Sequence, residues 1–239
     1  MRRAAFLALC IGLAIAFAAL GVWQVERRAW KLDLIQRVNA RVAAAPANPP
    51  SRADWPRVTA ERDEYRRVQM RGVFLGDRQT LVQAVTELGP GWWVVTPLKT
   101  DEGVILVNRG FAPGDRAAAA TPPSGPVLVT GLVRMTEPRG GFLRANDPAA
   151  DRWYSRDVSA IARARGLAGA APFFVDADAT PNPGGYPVGG LTVIAFRNAH
   201  LAYALTWFGL AGLSLFGARL ILRAGGRRPA ADQDIAPGR

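Results

Sequence analysis

Two long apolar runs, one near each end of the chain, constrain what this sequence can become more than anything else in it. AAFLALCIGLAIAFAALGV fills residues 4–22, and LAYALTWFGLAGLSLFGARLIL fills residues 201–222 with Arg219 as its only charge. About 20 predominantly apolar residues in a helix cross a bilayer core, so each run reads as a transmembrane segment. The stretch between them is mixed and reads as soluble. Arg2 and Arg3 precede the first run, and Arg223, Arg227 and Arg228 follow the second. Basic short flanks stay on the cytoplasmic (or matrix) side, and Arg219 can snorkel to the headgroups. The expectation is a multi-pass membrane protein with two helices, both termini cytoplasmic and the intervening domain periplasmic.

The N-terminal run has a second reading. A basic start, an apolar core and Ala16-Phe17-Ala18 also fit a cleavable signal peptide. The uncleaved anchor is preferred, because the pattern continues through Trp23 into an amphipathic stretch, VERRAWKLDLIQRVNARVAAA. The boundaries that follow are a cytoplasmic tail at 1–3, helix 4–23, an amphipathic helical extension 24–45, a periplasmic domain 46–199, helix 200–222 and a basic tail 223–239.

Within the domain, Pro46–Pro56 reads as a linker. Alternating or continuously apolar runs predict strands at 66–75, 78–85, 92–98, 103–111, 126–135, 171–177 and 191–197. Asp157–Gly166 predicts a short helix with Asp157 as N-cap and Gly166 just past its end. Strands joined by short connections imply a mainly antiparallel sheet. The fold class is therefore α+β: two transmembrane helices flanking a mainly antiparallel β domain that carries a short helix. In Trp92-Trp93, neighbouring strand residues face opposite sides, so one ring is expected in the core and the other toward solvent or a partner.

Composition enters by what it excludes. The formal charge is +11, but the arginines are dispersed and no nucleic-acid-binding motif is present, so attraction to anionic lipid headgroups is the better reading and no nucleic-acid partner is expected. Cys10 is the only cysteine and His200 the only histidine. That composition allows no disulfide, supplies no Cys/His cluster for zinc or copper, and offers no nucleophile–base pair, so an enzyme is not expected.

His200 stands at the mouth of the second helix. Positions three, four and seven apart share a helix face, which places Tyr203, Ala204, Trp207, Ala211 and Ser214 with it. The small residues Gly209, Ala211 and Gly212 would let a helix or a flat ligand approach. Neutral imidazole is a haem-iron ligand, so His200 with Tyr203 and Trp207 is a candidate haem site. The other reading is a headgroup-level histidine bonded to lipid or to its own domain, with Tyr203 and Trp207 as interfacial anchors.

The stretch Arg197, Asn198, His200, Leu201, Tyr203, Ala204, Thr206, Trp207, Phe208 resembles the RNxHLxYAxTWF signature of the Surfeit locus protein 1 (Shy-type) family of cytochrome c oxidase assembly factors. GVWQVERRAWK (21–31), GPGWWVVTPL (89–98), VNRGFAP (107–113), WYSRDVSAIARARG and PFFVDA look like further family stretches, with Trp92 where a Tyr and Phe111 where a Trp is usual. The resemblance covers nearly the whole chain. It implies an inner-membrane factor acting on haem-copper oxidase around haem a insertion into subunit I, with haem A synthase as a possible further partner. Carried over, the signature histidine that would ligate haem a iron is His200. The alternative it leaves open is a membrane-tethered scaffold for subunit I that binds no haem.

Overall fold

The computed structural model describes residues 2–226 apart from 115, 118, 119, 142 and 197. Arg197 of the signature and the basic tail from Arg227 onward lie outside the described residues. The chain divides into two units, Met1–Gln36 with Ala195–Arg239, and Arg37–Ile194.

In the first unit, helix α1 (Arg2–Ala43) runs 42 residues without a proline. It stops just before Pro46, which disfavours helical backbone at the residue before it. The expected anchor and amphipathic extension are therefore one helix. At roughly 63 Å it is about twice the ~30 Å apolar thickness of a bilayer. Helix α4 (His200–Gly226), which follows the short helices α2 (Ala60–Asp63) and α3 (Val158–Ala164) in the chain, is the second long apolar helix. Only 11% of the apolar window of either helix is buried, so neither is the core helix of a globular domain. Both are long and apolar enough to cross a membrane, which supports a membrane protein. The hydroxyls of Thr206 and Ser214 bond back to the carbonyls of Ala202 and Leu210, as polar groups in an apolar surround require.

The two helices meet along an antiparallel seam. Ala14 on α1 and Ala204, Ala211 and Ala218 on α4 are buried at heptad spacing. An added Cβ at Gly21 would lie 2.5 Å from the Phe208 ring, so glycine is what permits the approach there. Gly209 and Gly212, expected to serve that purpose, have nothing within 4 Å of an added Cβ. The reason is phase: Gly209 and Gly212 fall between the seam positions 204, 207, 211 and 214.

The second unit is a mainly antiparallel sheet, as expected, and it closes into a barrel, which the strand pattern left undecided. Its strands are β1 (Arg67–Phe74), β2 (Thr80–Thr86), β3 (Gly89–Thr100), β4 (Gly103–Pro113), β5 (Pro126–Met135) and β6 (Ala170–Ala177). The ring runs β1-β5-β6-β4-β3 and closes where Val73 and Phe74 of β1 pair with Lys99 and Leu98 of β3. The remaining length of that β3 edge pairs with β2. All pairings are antiparallel except β4 with β6. Closure demands a near collision: a Cβ at Gly72 would sit 2.4 Å from the Lys99 carbonyl oxygen.

Alternation then builds two cores from the same strands. Val68, Met70, Leu98, Ile105, Val107, Val133, Phe173 and Val175 fill the interior. Leu106 and Phe174 point outward, where Trp153 and helix α3 (Val158–Ala164) cover them. This is why β4 and β6 are apolar without a break. Asp157 caps α3, its carboxylate accepting from the Ala160 N–H at 3.0 Å, and Gly166 has φ 62°, both as the sequence led one to expect. Trp92 and Trp93 do face opposite sides, but both are half-buried, each packed on a different cluster.

Two expectations fail. Pro46–Pro56 is not a free linker. Ala47 pairs with the backbone of Arg67 and Gln69, and Trp55 is buried against the barrel interior. The run at 191–197 is not a strand through 191–196. The edge positions left by the ring are taken by other segments, Ala47 on β1, Trp153 on β2 and Val188 on β4, and the run's Thr192 hydroxyl instead donates to Asp176.

Candidate functional site

His200 opens α4, and its Nδ1 lies 2.8 Å from Oε1 of Gln24 on α1. One heptad along the seam, the Trp207 ring stacks on Phe17 with centroids 5.6 Å apart and an interplanar angle of 25°. His200 and Trp207 therefore lie together on the face that meets α1. Tyr203 does not: it is 56% exposed. Phe17 fills the space beside Trp207 between the two helices.

A second concentration of polar side chains sits in the barrel unit. Asp176, on β6 and 4% exposed, accepts from Asn108 Nδ2 (2.8 Å), Arg134 (3.0 Å), Arg156 (3.1 Å) and Thr192 Oγ1 (2.9 Å). Arg156 also forks onto Glu137 and lies over the rings of Phe174 and Trp93. A cavity of about 210 Å³ opens beside these groups, bounded by Trp93, Asn108, Arg134, Arg156, Asp176 and Thr192. Nearby, Arg109 is 2% exposed. Its guanidinium donates to the carbonyls of Ala120 and Thr121 and to Asn182, which ties two loops to β4. Burial pushes its pKa down to about 10, so it remains a cation at neutral pH.

Reading the residues did not single out Gln24, Arg109, Arg134, Arg156 or Asp176. A usable signal existed for two of them. Arg109 and Asp176 interrupt the apolar strand runs GVILVNRGF and PFFVDA, and a charge inside a buried strand must be paired or hydrogen-bonded. Gln24 carried none, because its partner is 176 residues away.

The carboxylates of this unit make a pH prediction. Burial works against the charge of Asp63, Glu137 and Asp157. Backbone N–H groups and Arg66 for Asp63, Arg156 for Glu137, and the N–H groups of Ala160 and Arg139 for Asp157 outweigh it and hold all three below their ordinary values. A depressed carboxylate stabilises the fold above its unfolded value, about 3.9 for Asp and 4.3 for Glu, and that contribution is lost as pH falls through the folded value. Glu137 is 36% exposed, so solvent screening reduces its share. Stability should be level above about pH 5 and then fall, with Asp63 and Asp157 together giving a slope of at most about 2.7 kcal/mol per pH unit. Melting temperatures measured between neutral pH and the acid range check this; a curve that stays flat on acidification would contradict it.

Comparison with known proteins decides the family. A profile described as the SURF1 family matches residues 11–212. The mouse protein named Surfeit locus protein 1 is 40% identical over 212 residues, 80% of this chain and 67% of its own length. The human protein of that name is 37% identical over 219 residues, covering 82% and 71%. A SURF1-like protein of Monosiga brevicollis is 37% identical over 232 residues, covering 87% and 84%.

The chain belongs to the SURF1 family.

The SURF1 stretches read in the sequence converge on the two polar sites. The RNxHLxYAxTWF and GVWQVERRAWK stretches bring His200 and Gln24 together. The other four supply Trp93, Asn108, Arg156 and Asp176 to the cavity of the barrel unit. SURF1 membership supports a role in cytochrome c oxidase assembly.

Proposed function

We propose that this chain is an assembly factor for haem-copper cytochrome c oxidase that delivers haem a to subunit I, or steadies subunit I as haem enters, from the periplasmic side of the inner membrane. The observation that carries the haem part is the His200–Gln24 contact: Gln24 engages Nδ1 and leaves Nε2 for a metal. When bound, haem a would supply a redox-active iron with an open position for an imidazole.

The donor set would offer one iron ligand from this chain. His200 is the sole histidine. Of the methionines, Met70 is buried in the barrel core, Met135 packs against it, and Met1 lies outside the described residues. One ligand with the second position left to water or a partner suits a carrier that must release its cargo. The pairing of Phe17 with Trp207 and Gln24 with His200 needs α1 to stay attached, which favours an uncleaved anchor.

Two observations favour the scaffold reading. Four of the six family stretches meet at the Asp176 cluster and not at His200, and Tyr203 is turned away from the seam. In that reading the barrel holds subunit I and no haem is carried.

The test is optical. The chain is expressed in a host that makes haem a, purified in mild detergent, and its reduced-minus-oxidised spectrum is compared with that of His200→Ala at equal protein. A haem a spectrum that the substitution abolishes is the expected result. If haem never copurifies, or His200→Ala leaves its spectrum unchanged, the scaffold reading replaces the carrier.

A further inference from the structure

The only imidazole of this chain can present one nitrogen to a metal, and which one depends on where its proton sits. A neutral imidazole carries its proton on Nδ1 or on Nε2, and the hydrogen bond made by one nitrogen sets the state of the other. Here the structure places the carbonyl oxygen of Gln24, Oε1, 2.8 Å from Nδ1. An amide oxygen only accepts. We infer that Gln24 holds His200 in the tautomer protonated at Nδ1, and so fixes Nε2 as the bare nitrogen that meets iron; this rests on the haem reading of His200.

The seam supplies the rigidity that such a positioning residue needs. Gln24 follows Phe17 by seven residues on α1, as His200 precedes Trp207 by seven on α4. The Phe17–Trp207 stack and the Gly21–Phe208 approach therefore fix the register that brings the amide to the ring. In water a free imidazole prefers its proton on Nε2, which would block that nitrogen from a metal. The amide reverses this preference before any metal arrives. Histidine ligands in metal sites donate their second N–H to an oxygen of this kind, and losing that oxygen costs about 10–100-fold in metal affinity.

Because His200 is the sole histidine, the inference can be tested without haem. The full chain, carrying an affinity tag that contains no histidine, is labelled with nitrogen-15 histidine. It is studied in mild detergent at a pH of about 8, well above the ordinary imidazole value of about 6.5. Long-range nitrogen–proton correlation then reads one ring. Nε2 is identified by its coupling to both carbon-bound ring protons, and it should resonate as the unprotonated nitrogen. Gln24→Leu should move the proton toward Nε2, and Gln24→Glu, which keeps an acceptor, should hold it on Nδ1. A wild-type ring protonated at Nε2, or a spectrum unchanged by Gln24→Leu, would overturn the inference. The wild-type spectrum alone decides if Gln24→Leu does not fold. In a host that makes haem a, Gln24→Leu should weaken haem retention about 10–100-fold while Gln24→Glu keeps it. A ring protonated at Nδ1 in protein that never takes up haem would leave the tautomer standing and defeat the haem reading instead.

Discussion

Asp176→Ala should cost the barrel about 3–5 kcal/mol. The carboxylate is 4% exposed and accepts from four side chains, two of them guanidinium groups. Removing one partner of a buried ion pair leaves the other charge uncompensated, and here two charges lose it. Arg156 would keep Glu137 and Arg134 would keep Glu64 at 3.5 Å. The loss therefore falls short of two fully stranded cations. Asp178 is the internal control. It stands two residues along, and among the described residues its carboxylate accepts only from its neighbour Thr180, so Asp178→Ala should shift stability by no more than about 1 kcal/mol. The measurement is the urea midpoint of the full chain in mild detergent, followed by tryptophan emission. Equal midpoints for Asp176→Ala and the wild type would mean that the cluster is solvated and contributes no net stability. Because Asp176 joins three of the SURF1 stretches, its own and those of Asn108 and Arg156, its loss should also lower the amount of protein a cell retains, since 1–2 kcal/mol already changes abundance several-fold.

The features that sequence reading reached are those written in local patterns. Six strands and α3 follow from alternation, turn residues and the Asp157 cap, all signals confined to a few consecutive positions. The barrel closure was out of reach. It rests on two residue pairs between β1 and β3 and on a backbone approach at Gly72, and nothing in the strand runs distinguishes an open sheet from a closed one. The run at 191–197 misled for the related reason that strand propensity says nothing about whether an edge is free. At the helix pair, the 3.6-residue period put His200 and Trp207 on one face correctly. It also put Tyr203 there, although three residues advance a helix about 300° and swing Tyr203 off the narrow seam. Gln24 could be found only once both helices were side by side.

Phe173 and Phe174 carry the other large effect, and their order is the informative part. Both are fully buried. Adjacent residues of β6 point opposite ways, so Phe173 enters the barrel interior and Phe174 lies outside it, with Trp153 and Ile161 of α3. Truncating a buried Phe to Ala costs about 3–5 kcal/mol, and the spread depends on how far the surroundings collapse into the space. The interior is walled by a hydrogen-bonded ring that cannot close inward without breaking its register. The outer core is covered by a helix of seven residues joined to the barrel by loops, which can settle toward the sheet. Phe173→Ala should therefore fall at the upper end of that range and Phe174→Ala at the lower. Phe174→Ala also removes one ring beneath Arg156, whose guanidinium carbon lies 4.8 Å from it, and that loss would narrow the gap without reversing it, since a cation–ring contact is worth about 0.5–2 kcal/mol. Urea midpoints for the two single variants decide the matter: if Phe174→Ala proves the more damaging, the rigid part of this domain is the layer beneath α3 and not the barrel interior.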